Sequence, residues 1–179
     1  QVVFCLTRVC VKARVEQAIE ASRGFADGYN VRLRLSPASV GANVRADPDR
    51  LMQVITNLLS NAIKFSPADE EVLVSIEVQR GTVSISVRDH GYGIPDDFKS
   101  HIFEKFAQAD GTDKRKKGGT GLGLSIVKSI VDRLGGEASF DEASGGGTVF
   151  RVELPIWKEA VRTEARLSSK SNLRIFLCE

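Results

Sequence analysis

The chain has 179 residues, 42% of them hydrophobic and 27% charged, which is enough for one globular domain with a buried core. Its 25 basic and 23 acidic residues are evenly spread for a net charge of +2, so no polybasic surface points to nucleic acid or lipid. Three cysteines, Cys5, Cys10 and Cys178, show no C-x-x-C spacing, which argues against a disulfide framework or zinc site, and no apolar run reaches the roughly 18 residues of a membrane span.

The thiols read as reduced and cytosolic. Residues 1–9 lack an initiator Met and a basic n-region and are expected to be the end of a preceding segment of a longer chain. Residues 11–24 carry Val11, Val15, Ala18, Ile19 and Ser22 at helical spacing, predicting an amphipathic helix that stops at Gly24. Residues 29–35 alternate Val31, Leu33 and Leu35 against Arg32 and Arg34, a half-buried strand ended by Ser36 and Pro37. Residues 38–46 read as a further short strand or loop. Asp47 and Pro48 then supply an N-cap and a first-turn proline for a helix to about Phe65, where Ser66 and Pro67 end it.

Residues 72–79 and 82–89 alternate on either side of Arg80 and Gly81, the pattern of an antiparallel hairpin. Short helical pieces are expected in 95–106, and the Gly, Asp and Lys content of 107–119 predicts a long mobile loop. Residues 122–134 are helical again, ended by Gly135 and Gly136, and 137–141 pair with 148–154 in a last hairpin. Beyond Pro155 a polar linker is expected over 157–172, followed by an apolar stretch at 173–178.

Three segments carry chemistry. In NLLSNAIKF (57–65), a step of about 100° per residue gathers Asn57, Asn61, Lys64 and Phe65 on one third of the helix, beside the apolar arc of Leu51, Ile55, Leu58, Leu59 and Ala62. Carboxamide oxygens suit Mg²⁺ and Lys64 adds a charge for phosphate, while a solvated polar face is the alternative on spacing alone. In DHGYGI (89–94), Asp89 continues the buried row of Val83, Ile85 and Val87, so its carboxylate needs a partner. The exocyclic amine of adenine would serve; bracing the turn at Gly91 and Gly93 is the other reading. In GGTGLGL (118–124), glycines run into a helix whose first N–H groups lack internal partners and so face an anion. The preceding Lys114, Arg115, Lys116 and Lys117 could fold over phosphates, and Phe103 and Phe106 read as anchors of that lid.

With these residues in this order, the chain resembles the catalytic ATP-binding domain of sensor histidine kinases, within the Bergerat-fold group that also includes DNA gyrase, a mismatch-repair ATPase and a heat-shock chaperone. Residues 57–67 look like the N box, 89–94 the G1 box, 102–106 the F box and 119–124 the G2 box, and 145–154 are similar to the glycine-plus-strand segment closing the domain. The resemblance covers about residues 10–156. It implies a two-layer α/β (α+β) sandwich, with a mixed, mostly antiparallel sheet under three helices and a flexible ATP lid.

The resemblance further implies Asn57 and Asn61 at Mg²⁺, Lys64 and the lid arginine Arg115 at the phosphates, and Phe65 beside adenine. Asp89 would bind adenine N6, with Gly91 and Gly93 shaping the base pocket. Gln108 would stand at the lid base, with Gly119, Thr120, Gly121, Leu122 and Gly123 around the phosphates. In gyrase-like relatives the position of Asn57 is a water-activating glutamate, and an amide cannot be a general base, which favours phosphoryl transfer over hydrolysis. His90 is a mild departure from G1.

Neither His90 nor His101 lies in an acceptor motif. The implied partners are therefore a dimerisation hairpin bearing the acceptor histidine, homodimeric in the full-length protein, and a response-regulator receiver domain. Residues 173–179 are similar to the first strand of such a receiver, as in a hybrid kinase. The implied setting is cytoplasmic, with membrane attachment only through upstream segments. The alternatives are a nucleotide-sensing module without catalysis and an anti-sigma-type serine kinase of the same fold.

Overall fold

The computed structural model describes residues 4–106 and 121–158. In chain order these form β1 (Thr7–Cys10), α1 (Val11–Asp27), β2 (Arg32–Leu35), β3 (Asn43–Ala46), α2 (Pro48–Phe65) and β4 (Glu71–Gln79). There follow β5 (Thr82–Arg88), α3 (Asp96–Lys99), α4 (Gly123–Arg133), β6 (Glu137–Glu142) and β7 (Thr148–Pro155). The expected mixed sandwich is present. Five strands lie in the order β2-β4-β5-β7-β6, with β2 and β4 parallel and every other neighbour antiparallel. A separate two-stranded sheet, β1-β3, is joined to the end of β7 by a bridge between Val44 and Ile156.

Strand periodicity decides which face is covered. Val72, Val74 and Ile76, then Val83, Ile85 and Val87, then Phe150, Val152 and Leu154 point toward the helices, none more than 6% exposed. Ser75, Ser84, Ser86, Arg151 and Glu153 alternate with them on the other, polar face. α2 lies centrally, between α1 on the β2 side and α4 on the β6 side. Its Leu51, Val54, Ile55, Leu58, Leu59, Ala62 and Ile63 are at most 1% exposed. Each Leu or Ile so buried contributes about 1.5–3 kcal/mol, which makes this helix the spine of the core.

Local signals place the turns. Arg80 (φ 48°) and Gly81 (φ 90°) both adopt the left-handed conformation that a two-residue hairpin requires. Three sequence expectations need correction. α1 passes through Gly24, which keeps helical backbone, and continues to Asp27 because Ala26 still packs into the core at 2% exposure. The chain reverses instead at Asn30 (φ 54°), so β2 starts at Arg32, and Tyr29 belongs to the turn, bonded to the Ala26 carbonyl. Thr7–Cys10 is a strand on β3 with Val9 buried, so this edge of the fold starts ahead of residue 10. The expected linker from 159 onward and the apolar stretch after it lie outside the described residues.

Candidate active site

α2 is fixed at its first turn. The Oδ1 of Asp47 accepts from the N–H groups of Asp49 (3.0 Å) and Arg50 (3.1 Å), and its Oδ2 accepts from that of Cys5 (2.8 Å). These bonds, Cys5 first, hold the carboxyl below its ordinary value. From this start the helix turns Asn57, Asn61 and Lys64, all half-buried, away from the apolar arc. Asn57 Nδ2 makes a long bond, 3.4 Å, to the carbonyl of Gly123, the first residue of α4. A Cβ on Gly123 would stand 3.9 Å from the Asn57 carboxamide and 4.0 Å from Asn61 Nδ2, so both asparagines meet the head of α4. The sequence stripe thus packs against the head of the glycine-led helix.

α4 begins at Gly123, and its first intrahelical bond of this turn runs from Ile126 N–H to Leu122 C=O. The N–H groups before it have no partner within the helix, the arrangement that attracts an anion. Gly121 sits at φ 67°, and its carbonyl accepts from the N–H of Phe106 (3.0 Å). The two edges of the segment 107–120 are therefore bonded to each other. Gln108, Arg115, Gly119 and Thr120 fall in that segment, outside the described residues.

At the end of β5, Asp89 is 4% exposed, as strand parity predicts. Its Oδ1 accepts from the N–H groups of Gly91 (2.9 Å) and Thr148 (3.1 Å), and no hydrogen bond to Oδ2 is seen among the described residues. Burial raises the carboxyl above its ordinary value against the opposing pull of those two bonds and of His90. Asp89 therefore braces the turn with one oxygen, as the second sequence reading has it, and its other oxygen accepts no hydrogen bond from a described residue. His90 Nδ1 donates to the Glu71 carbonyl (2.9 Å), which ties the segment to the start of β4.

Two glycines set the approach of this segment. A Cβ on Gly91 would come within 2.8 Å of the Phe65 carbonyl, so the turn lies directly against the end of α2. A Cβ on Gly147 (φ 93°) would fall 2.1 Å from the Asp89 carbonyl. Sequence reasoning placed Gly147 only in a closing segment and passed over Thr148, whose contact with Asp89 spans 59 residues. Tyr92 was likewise overlooked: its ring meets that of Phe65 edge-on, with centroids 6.4 Å apart at 84°. Gly93 (φ 77°) completes the turn. The two lid anchors part company. Phe103 packs on Phe140 at 6.2 Å, whereas Phe106 is 72% exposed.

The donor set was tested against the implied cation. Asn57 and Asn61 offer neutral oxygens on one face, and among the described residues no three His, Cys, Asp or Glu side chains cluster. This fits Mg²⁺ taking most of its ligands from phosphates and water, and not an ion caged by protein alone.

A model of the family described as histidine kinase-, DNA gyrase B-, and HSP90-like ATPase matches residues 46–158. The hybrid signal transduction histidine kinase D of Dictyostelium discoideum is 45% identical over 115 residues, 62% of this chain and 7% of that protein. The sensor histidine kinase YkoH of Bacillus subtilis (strain 168) is 44% identical over 110 residues, 62% of this chain and 24% of that protein. Among solved structures, full-length ShkA in complex with AMPPNP matches with a TM-score of 0.74 at 31% identity, over 87% of this chain and 32% of that one. The chain therefore spans at most 24% of the length of these two relatives.

Proposed function

The chain belongs to the histidine kinase-, DNA gyrase B- and HSP90-like ATPase family as the ATP-binding domain of a sensor histidine kinase, and from that premise we propose that it transfers the γ-phosphate of ATP to a histidine on a separate helical hairpin. The observation that supports this reading is Asp89, whose buried carboxylate spends one oxygen on Gly91 and Thr148 and accepts nothing on the other from the described residues.

In this reading the open Oδ2 of Asp89 accepts the exocyclic amine of adenine, and the turn at Gly91 and Gly93 shapes the pocket beside Phe65. Lys64 and the first N–H groups of α4 face the phosphates, with Gly121, Leu122 and Gly123 letting the backbone come close. Arg115, Gly119 and Thr120 complete the phosphate contacts, with Gln108 at the lid base. Asn61 with Asn57 would hold Mg²⁺, which when bound neutralises charge on the phosphate oxygens. Asn57 is an amide, so it cannot deprotonate water; its bond to Gly123 braces α4 against α2 instead. The chain thus orients ATP and leaves the nucleophile to the acceptor histidine.

The partners in this proposal are the hairpin, which makes the full-length protein a homodimer, and a receiver domain, placed in the same chain if residues 173–179 begin one. In this proposal the catalytic domain covers residues 10–156 together with β1 ahead of them and Trp157 after them, and the linker follows up to about 172. Reduced thiols and the use of ATP suit the cytoplasm, and among the described residues no helix is long and apolar enough to cross a membrane. Mixing the chain with an acceptor hairpin and γ-labelled ATP is expected to give acid-labile, base-stable phosphate on the hairpin. Tight ATP binding with no such label would leave a nucleotide-sensing module.

A further inference from the structure

Phe65 and Tyr92 are large aromatics left 39% and 60% exposed beside the buried Asp89. They come from different elements, the last residue of α2 and the turn after β5. Two contacts keep them in register. Gly91 lies so close to the Phe65 carbonyl that a Cβ would meet it at 2.8 Å, and the rings themselves meet edge-to-face at 6.4 Å and 84°. That geometry is the favoured one for an aromatic pair, in which the positive edge of one ring rests on the negative face of the other. The Phe65 ring therefore rests against Tyr92 on one side. Partial burial, and after it the negative charge of Asp89, lift the phenol above its ordinary value.

We propose that Tyr92 is a positioning residue for the nucleobase: it holds the Phe65 ring upright so that the base slides against Phe65 while its amine reaches Asp89. The assignment rests on the ATP-binding reading above. The contact with Phe65 is made by the ring, so Tyr92→Phe, which keeps the ring, is the conservative variant. Its effect passes through Phe65, so it disappears where Phe65 is absent. It acts on the base alone, so a phosphate chain without a base does not sense it.

The test is a set of equilibrium titrations of the whole chain with ATP and Mg²⁺, with inorganic tripolyphosphate as the base-free probe. Tyr92→Ala is expected to weaken ATP about five- to tenfold, Tyr92→Phe to stay within about twofold of wild type, and tripolyphosphate to bind all forms alike. In a Phe65→Ala background, Tyr92→Ala is expected to change ATP affinity by less than about twofold. Wild-type ATP affinity in Tyr92→Ala overturns the assignment, as does a full, additive loss on top of Phe65→Ala. Parallel loss of tripolyphosphate marks a collapsed turn and overturns it too. A wild-type chain that binds tripolyphosphate but not ATP removes the adenine reading itself, and this assignment with it.

Discussion

Asp47 and Asp89 are both aspartates at the end of a strand, 8% and 4% exposed, and both accept backbone N–H groups, yet their carboxyls are shifted in opposite directions. Asp47 has three donors shared over both oxygens, at the foot of a helix. Asp89 has two among the described residues, both on Oδ1. The count and placement of donors separate a carboxylate bonded through both oxygens from one bonded through a single oxygen. A fully bonded anion tolerates burial, whereas one with an open oxygen carries a desolvation cost until something donates to it.

The change with the largest expected effect breaks the contrast outright. Gly147→Ala puts a Cβ against the Asp89 carbonyl at a φ of 93°, so strain and displaced backbone together should cost about 3 kcal/mol. Urea denaturation should show that loss, and unchanged stability would mean that the backbone around Asp89 is less tightly set than the contact indicates. Asp89→Asn keeps the acceptor for Gly91 and Thr148 but turns the open oxygen into a donor. ATP affinity should drop by about 2–3 kcal/mol while the urea midpoint holds or rises. Equal binding of ATP and GTP by wild type and variant would sink the adenine role.

Asp47→Asn is the mirror experiment. It keeps the cap on Asp49 and Arg50 but sets an amide N–H against that of Cys5, for a stability loss of about 1–2 kcal/mol with ATP affinity intact. The smallest effect is in the pH dependence. The contribution of Asp47, whose folded pKa is lowered, is complete above its ordinary value of 3.8 and is lost as pH falls through the lower folded value. The cost of Asp89, whose folded pKa is raised, is complete above that raised value and fades as pH falls through it toward 3.8. Urea midpoints of the two asparagine variants should therefore approach wild type in acid from opposite sides, Asp47→Asn from below and Asp89→Asn from above.

How far the fold could be read from sequence depended on range. Asp47 and Pro48 marked the start of α2, and Ser66 with Pro67 its end, because caps and prolines act within one turn. Parity along β5 foretold the burial of Asp89 for the same local reason. Gly24 misled because a glycine stops a helix only where the chain takes a left-handed turn, and that turn came at Asn30. β1 was missed because its partner, β3, is more than thirty residues away. At the site, the asparagine stripe and the glycine-headed helix were legible, since each is one element with its own period. The partition of Asp89's two oxygens was not, since it depends on Thr148 arriving from β7.

β3 is only four residues long, yet β1 pairs along it, Ile156 bridges to Val44, and the Trp157 N–H bonds to the Asn43 carbonyl. Mechanically it is a coupling pin: the incoming chain and the outgoing chain are both fastened to it. The pin runs without a loop through Asp47 into α2, the helix that carries Asn57 and Asn61. β3 thus ties the chain entering the domain and the chain leaving it to the foot of the helix that carries Asn57 and Asn61.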